Sequence, residues 1–407
     1  MHHSFRKPKA LVPLALVQLA LVLSSPAARA EADVLPPAVR NANAQLLSQF
    51  FAQGGASPAV LEYRRKLAEY QAARAAFDAE AGAYWSQIYE KRKTRNAKRR
   101  SGQQITLDDY VLEHPPLYNG PKKPVNPEPE ETPERPRKPI PVTADFLRAA
   151  QELYRFTPQR PTSEVEFKRA YARYALASGL TREQAVRVYA FETGGTGTHD
   201  VQAGIEHGGK RAISTAMGYN QLLTTNSVEL LAEQGHELIR ALSEKVTRTP
   251  GPARHALEHK LAVLKKMVAH AKSVPDTWSE HEKMGRTPQG WAMHAMVLDI
   301  DIGPMLQTHK LLTSVLFARA KGHSRPLSAA ELEMMNLTGD GTGLDMVTMP
   351  QAMREQVPTS NFFQRGGYER NPVAIRHNTV AKLLAVTDQR MDANSSKAGA
   401  RELAAAF

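Results

Sequence analysis

Residues 181–195 read TREQAVRVYAFETGG, and this stretch carries helix signals at both of its ends. Thr181 and Gln184 have the three-residue spacing of a capping box, in which two side chains satisfy free backbone N–H groups at the start of a helix. Gly194 and Gly195 stand just past the expected last turn, where a residue with a left-handed backbone commonly ends a helix. The stretch therefore predicts one helix with a marked beginning and a marked end.

Sequence signals for helices are also found on both sides of this stretch, throughout residues 142–407. Ser163 and Glu166 form another capping box, whose helix is expected to run to Gly179. A later helix has four apolar residues on one face, namely Leu257, Leu261, Leu264 and Val268. No run of useful length alternates with the period of two that is typical of a half-buried strand. The predicted fold class is therefore mostly α.

The first thirty residues have the three parts of a secretory signal peptide. A basic beginning, at positions 6, 7 and 9, precedes an almost entirely apolar run at 10–23, and Ala28 and Ala30 then supply the small residues that a signal peptidase requires. The apolar run is shorter than the roughly 20 residues of a membrane-spanning helix, which favours cleavage over an uncleaved anchor. We therefore expect residues 1–30 to be removed, leaving a periplasmic or secreted protein with no membrane span.

The chain has no cysteine, which excludes a disulfide framework, a thiolate metal site, a cysteine nucleophile and a lipid anchor attached through cysteine. The formal net charge of +12 falls to +8 when the signal is removed, because the signal holds four basic residues and no acidic one. A basic protein often binds nucleic acid, but an exported protein meets the anionic cell envelope instead. The charge therefore indicates either an envelope polyanion as partner or a contribution to solubility alone, and no nucleic acid.

Residues 31–113 are expected to form a helical N-terminal module, and residues 114–141 a Pro-rich linker. The stretch 59–93 is rich in Ala, Glu, Arg and Lys and has apolar residues at helical spacing. Proline recurs throughout the linker and excludes a helix or a central strand there, which favours an extended spacer. We therefore place a domain boundary at the linker and a second domain at 142–407. Cell-envelope proteins are candidate partners of the module.

Glu192 falls in the last turn of the helix expected within residues 181–195. The partial negative charge of a helix C-terminus disfavours a carboxylate there, and the flanking Tyr189 and Phe191 limit its hydration. Both effects should raise the pKa of Glu192, as a general acid that acts near neutral pH requires. Because many helices end in a solvated Glu, the neighbouring motifs have to decide between the two interpretations.

Motifs at and after Glu192 resemble those of the lytic transglycosylases and, more distantly, of goose-type lysozymes. Glu192-Thr193-Gly194 is similar to the catalytic Glu of that family, which is followed by Ser and Gly near a helix end. Residues 216–223, AMGYNQLL, resemble its Ala-Met-Gly-Leu-Met-Gln-Leu-Met run. Residues 298–303 and 335–341 resemble two later elements, the second of which faces the catalytic Glu in the family. The first two motifs are the specific part of the resemblance, which covers roughly residues 163–347.

The resemblance implies a lysozyme-like helical domain in which Glu192 is the catalytic acid. It also implies substrate contacts from five residues of these motifs, namely Gly218, Tyr219, Asn220, Gln221 and Asn336. Gly218 would let the backbone approach a sugar, and the amide of Gln221 can both donate to and accept from an N-acetyl group. Met335 stands where the family has a Tyr that positions sugar or acid, and Tyr368 is the candidate to replace that Tyr as a substrate-binding residue.

Two segments lengthen the chain relative to the family. One contains Asp200 and Glu206 and separates the first two motifs. The other is a helical insertion expected at about 236–290. Before the insertion, a short helix is expected at 228–234 and should end at Gly235.

The resemblance implies a peptidoglycan lytic transglycosylase, which cleaves glycan strands between N-acetylmuramic acid and N-acetylglucosamine. Glu192 would protonate the glycosidic oxygen and then deprotonate the C6 hydroxyl, which closes a 1,6-anhydro ring and needs no metal and no cofactor. A hydrolytic muramidase on the same fold is one alternative, with Asp200 or Glu206 activating water. A non-catalytic peptidoglycan-binding envelope protein is the other.

Overall fold

A computed structural model describes residues 57–128, 139–197 and 214–407. Within these ranges the regular structure is helical, with two isolated β-bridges and no strand, so the predicted mostly α class is confirmed. None of the helices in these ranges is long and apolar enough to cross a membrane. The predicted signal peptide at 1–30 lies outside the described residues, as does the beginning of the predicted N-terminal module.

The chain divides into two compact units, and the division falls within the first helix, α1 (Pro58–Arg100). The smaller unit contains, of the described residues, 57–79 and 117–128. In it Tyr118 packs edge-on against the rings of Tyr70 and Phe77, with ring centroids 6.2 and 5.4 Å apart. The guanidinium group of Arg74 lies over the rings of Phe77 and Tyr118. The beginning of the Pro-rich segment therefore packs on a helix, although it was expected to be a spacer.

The larger unit contains residues 80–116 together with 139–197 and 214–407. Its boundary differs from the one predicted at the linker, because one face of the second half of α1 is buried in this unit, with Ala81, Ile88 and Arg95 at most 2 % exposed. The side chain of Arg95 is fully buried and donates to Asp345, 3.1 Å away, and to the backbone carbonyl groups of Asp109 and Asn361. Residues 80–113, expected in a separate module, therefore belong to the body formed by the C-terminal part of the chain.

The other helices of the larger unit follow in chain order: α2 (Thr143–Tyr154), α3 (Glu164–Ala177), α4 (Arg182–Thr193), α5 (Thr224–Arg248), α6 (Pro252–Ala271), α7 (Trp278–Gly285), α8 (Pro288–His294), α9 (Gly303–Ala320), α10 (Ala329–Thr338), α11 (Asp340–Val347), α12 (Gln351–Arg354), α13 (Arg365–Glu369), α14 (Pro372–Arg376), α15 (Val380–Ser395) and α16 (Ala398–Ala406). Short 3₁₀ helices lie at Leu107–Asp109, Ala295–Leu298 and Thr359–Asn361.

Two hydrophobic cores hold these helices together. In the first, α4 packs against α10, α15 and α16, with Tyr189 and Leu332 among the fully buried side chains. In the second, α5 packs against α6, α7 and α8, with Leu231 and Leu264 buried between them. Helix α9 contributes to both cores. Residues 214–223, which precede α5, do so as well, with Tyr219 in the first core and Met217 and Leu222 in the second.

The short helix expected at 228–234 is instead the middle of the longer helix α5, which continues through Gly235 to Arg248. Gly235 is buried where α6 crosses, and a Cβ atom at this position would lie 2.5 Å from Cγ1 of Val268. The glycine therefore permits close packing of two helices and does not end one. The expected insertion at about 236–290 correspondingly supplies much of the second core.

We expect Gly235→Ala to lower the free energy of unfolding relative to Gly82→Ala. Both substitutions gain helix propensity, worth about 0.5–1 kcal/mol, but a Cβ atom at Gly82 meets nothing within 4 Å. Overpacking against Val268 costs about 1–3 kcal/mol. Chemical denaturation of the two variants measures the difference. Equal stabilities would show that the packing of α5 on α6 accommodates the added methyl group without a loss of stability.

Candidate active site

Glu192 lies in the last turn of α4, and its side chain is half-buried. The predicted capping box is present at the other end of this helix, since Thr181 and Gln184 hydrogen-bond each other's backbone N–H groups at 3.0 and 3.1 Å. Gly194 ends the helix with a left-handed φ of 73°. Burial raises the pKa of Glu192 to about 7, and the positive charge of Lys310 acts in the opposite direction. A carboxyl group with such a pKa is about half protonated at neutral pH.

Asn336 is the residue of the later motif that meets Glu192. It lies in the last turns of α10, and its Nδ2 donates to Oε1 of Glu192 over 3.3 Å. Helices α4 and α10 pack directly on each other, which brings together two motifs that are far apart in the sequence. This element was expected to face Glu192, and in the structure it supplies a hydrogen-bond donor to the carboxyl group.

Glu333 was not identified from the sequence, although it precedes Asn336 by three residues and so lies on the same face of α10. Its side chain is fully buried, and neither carboxyl oxygen has a hydrogen-bond partner of good geometry among the described residues. Burial and the neighbouring charge of Glu192 raise the pKa of Glu333 well above its usual range, against the opposing effects of the Asn336 amide and Lys310. The site therefore contains a second carboxyl group, whose ionisation is disfavoured by burial and by the charge of Glu192.

The motif at 216–223 forms a tight turn closed by two backbone hydrogen bonds between Met217 and Leu222, at 2.9 and 3.0 Å. Gly218 has φ of 80°, and a Cβ atom on it would lie 1.9 Å from Nε2 of Gln307 on α9. Gly218 itself is buried. A glycine is therefore required here because the turn packs closely on α9. It was expected to let the backbone approach a sugar, but its burial gives it a packing role instead.

Tyr219 and Asn220 were expected to bind substrate, but both are core residues with at most 1 % of their surface exposed. The ring of Tyr219 is surrounded by aromatic rings with centroids 5.0 to 5.3 Å away, those of Phe167, Tyr171 and Tyr189. The backbone N–H of Asn220 donates to the side chain of Gln307, and its Nδ2 donates to the Gln307 backbone carbonyl. The two side chains anchor the turn from inside, where a glycan does not reach them.

Gln221 is the partly exposed member of the predicted substrate-binding set in this turn. It has a left-handed φ of 43°, which is uncommon for a residue with a side chain. Its Nε2 donates to the backbone carbonyl of Gly218 at 2.8 Å, so the amide is held against its own turn. Strained backbone of this kind is frequently found at functional sites, and Gln221 keeps its place as a candidate contact for substrate.

Tyr368 was expected to replace the tyrosine that the family has at the position of Met335. Its side chain is 3 % exposed and packs edge-on against Trp85 and Phe363, with centroids 5.7 and 6.2 Å away. Met335 is buried in the same core. Tyr368 is therefore a packing residue, and we do not retain it as a substrate contact.

Two further carboxylates lie around Lys310, and we call Glu229 on α5 and Asp340 on α11 the acidic rim. The Lys310 charge lowers the pKa of both groups, while their burial raises it and dominates. The hydroxyl of Ser314, one turn after Lys310 on α9, donates to Asp340. Lys310 thus acts on the acidic rim as well as on Glu192. These residues belong to different helices, so no spacing in the sequence relates them.

The motif at 298–303 has a structural role. Asp299 is fully buried, binds the ammonium group of Lys260 at 2.8 Å and accepts the backbone N–H of Asp301. Asp301 pairs with the ammonium groups of Lys245 and Lys260. These contacts join α5 and α6 to the beginning of α9.

Asp200 and Glu206, the carboxylates considered for a hydrolytic reaction, lie outside the described residues. Within the described ranges no three His, Cys, Asp or Glu side chains are arranged so that they could hold a metal ion.

The chain matches no family model, no curated protein and no solved structure. Its function is therefore inferred from the chemistry of the site and from the motifs alone.

Proposed function

We propose that this protein is a peptidoglycan lytic transglycosylase that acts on glycan strands in the periplasm or outside the cell, with Glu192 as its acid and base. The contact between Glu192 and Asn336 carries the proposal, because the resemblance requires these two motifs to meet at the end of a helix. The proposal includes a lysozyme-like arrangement of the helices within residues 142–407. It assigns no role to a metal or a cofactor.

In this mechanism Glu192 first gives its proton to the glycosidic oxygen between N-acetylmuramic acid and N-acetylglucosamine. The positive charge that develops at C1 is stabilised by the neighbouring N-acetyl oxygen. The Glu192 carboxylate then takes the proton of the muramyl C6 hydroxyl, whose oxygen closes the 1,6-anhydro ring. A pKa of about 7 suits both steps, because the group is available as an acid and as a base near neutral pH.

The groups around Glu192 support its two roles as acid and as base. Asn336 donates to Oε1, which leaves Oε2 as the oxygen that carries the proton to the substrate. Lys310 favours the ionised form of Glu192 and so stabilises the carboxylate formed after the first step. Gln221 remains the candidate for recognition of an N-acetyl group.

Hydrolysis on the same site is the second candidate, and the acidic rim favours it. A muramidase needs a second carboxylate to activate water. Glu229 and Asp340 are near enough to the site for the charge of Lys310 to act on them as it acts on Glu192. They would take the role that the sequence analysis gave to Asp200 or Glu206.

Digestion of purified sacculi, with mass spectrometry of the released muropeptides, tests the proposal. We expect 1,6-anhydro products, and we expect the rate to fall as the pH rises through about 7, because Glu192 must be protonated to begin the reaction. Products that carry an added water would instead identify a muramidase. Binding to sacculi without any released product would identify the non-catalytic envelope protein.

A further inference from the structure

Glu333 is placed to act on Glu192, although the proposed mechanism gives it no part. It lies on α10 three residues before Asn336, whose amide contacts the Glu192 carboxyl group. Residues with this spacing lie next to each other on one face of a helix. The Glu333 side chain is therefore directed towards the same side of α10 as the Asn336 amide.

The surroundings of Glu333 leave its carboxyl group with unused hydrogen-bonding capacity. It is 0 % exposed, and neither oxygen has a partner of good geometry within the described residues. Buried polar groups are usually hydrogen-bonded, because an unpaired one costs stability. A fully buried carboxyl group with no paired cation is expected to be neutral, and it then carries one O–H donor.

The charged groups that act on Glu333 are those of Glu192 from α4 and Lys310 from α9. Helix α15 also packs on α10, and the charged side chains that it directs towards α4, Asp388 and Asp392, are paired with Arg187. Glu192 is therefore the anionic group to which the O–H of Glu333 can donate a hydrogen bond.

We propose that Glu333 is a positioning residue for Glu192: its neutral carboxyl group donates a hydrogen bond to the Glu192 carboxylate that forms when the leaving oxygen has been protonated. The inference rests on the proposed function of Glu192. The Glu333 proton stays on Glu333 throughout. Glu192 loses its own proton to the glycosidic oxygen and regains one from the C6 hydroxyl, so both groups return to their starting state after each turnover.

Two substitutions of Glu333 separate this role from packing. Glu333→Leu removes the donor, and since a hydrogen bond to a charged group is comparatively strong, we expect the rate on sacculi to fall by about tenfold to a hundredfold. Glu333→Gln keeps an N–H donor of similar shape and should stay within about threefold of the wild-type rate. Met334→Leu, at a fully buried position of the same helix, is the control for changed packing.

The decisive readout is the titration of the Glu192 carboxyl group itself, followed by carbon NMR and assigned by its absence in Glu192→Gln. Loss of a donor to the charged form raises a pKa, so Glu192 should titrate at higher pH in Glu333→Leu and near its wild-type value in Glu333→Gln. An unchanged titration in Glu333→Leu, or the same shift in both variants, would overturn the inference. Because this measurement needs no turnover, it also decides the role of Glu333 if sacculi are not cleaved and the proposed function fails.

Discussion

Glu192→Gln is expected to reduce the release of 1,6-anhydromuropeptides from purified sacculi by about 10⁴-fold or more. General acid–base catalysis by one group typically contributes about 10²–10⁴-fold, and here the same group acts as acid and then as base. Glutamine can still accept the hydrogen bond from Asn336, but it cannot give a proton to the leaving oxygen or take one from the C6 hydroxyl.

The fold should not change in this variant. The Glu192 carboxyl group is disfavoured as an anion by its burial, so a neutral amide of the same shape fits the same environment. Removal of a carboxylate from a helix C-terminus also does not weaken the helix. Sacculus binding and thermal unfolding are therefore expected to match those of the wild type, and they serve as the internal check on folding.

Glu152→Gln is the matched control, because it makes the same chemical change at an exposed position of α2. It should leave the rate unaltered. Glu229→Gln and Asp340→Asn test the acidic rim, and a loss of activity in either of them with hydrated products would favour the muramidase. Full activity of Glu192→Gln would exclude Glu192 from the mechanism.

Arg95→Met is expected to lower the free energy of unfolding by about 3–5 kcal/mol, since it removes one partner of a buried ion pair. Asp345 is 8 % exposed, and in the variant it would keep the single contact to Arg99 at 3.2 Å and the hydroxyl of Tyr110 at 3.3 Å. The backbone carbonyl group of Asp109 would lose its donor as well, while that of Asn361 would keep the hydrogen bond from Arg92 at 3.0 Å. For a unit of this size such a loss corresponds to a decrease in Tm of roughly 6–20 °C.

The control for Arg95→Met is Arg248→Met, which removes an exposed pair with Glu244 over 2.8 Å. Exposed pairs contribute about 0–1 kcal/mol, so its Tm should stay close to that of the wild type. Calorimetry of both variants makes the comparison. If Arg95→Met unfolds at the wild-type temperature, residues 80–113 contribute little to the larger unit and the boundary expected at the linker regains support.

The sequence by itself determined the local structure of this protein. Thr181, Gln184 and Gly194 specify where α4 begins and ends, because capping is an interaction between residues close in the chain. The position of Glu192 in the last turn follows directly. The helical class follows from the same local signals. Helix α1, with 43 residues, contains the whole helical stretch predicted at 59–93 and extends beyond it at both ends.

Tertiary structure decided what the motif residues do, because burial depends on elements that are distant in sequence. Gly218 and Asn220 meet Gln307 on α9, and Gly235 meets Val268 on α6, so residues that look like sugar contacts or helix ends are packing residues. No spacing rule relates Glu333 to Glu192. Only the packing of α10 on α4 buries these two carboxyl groups near each other, and the loss of their hydration there raises the pKa of Glu192 to about 7.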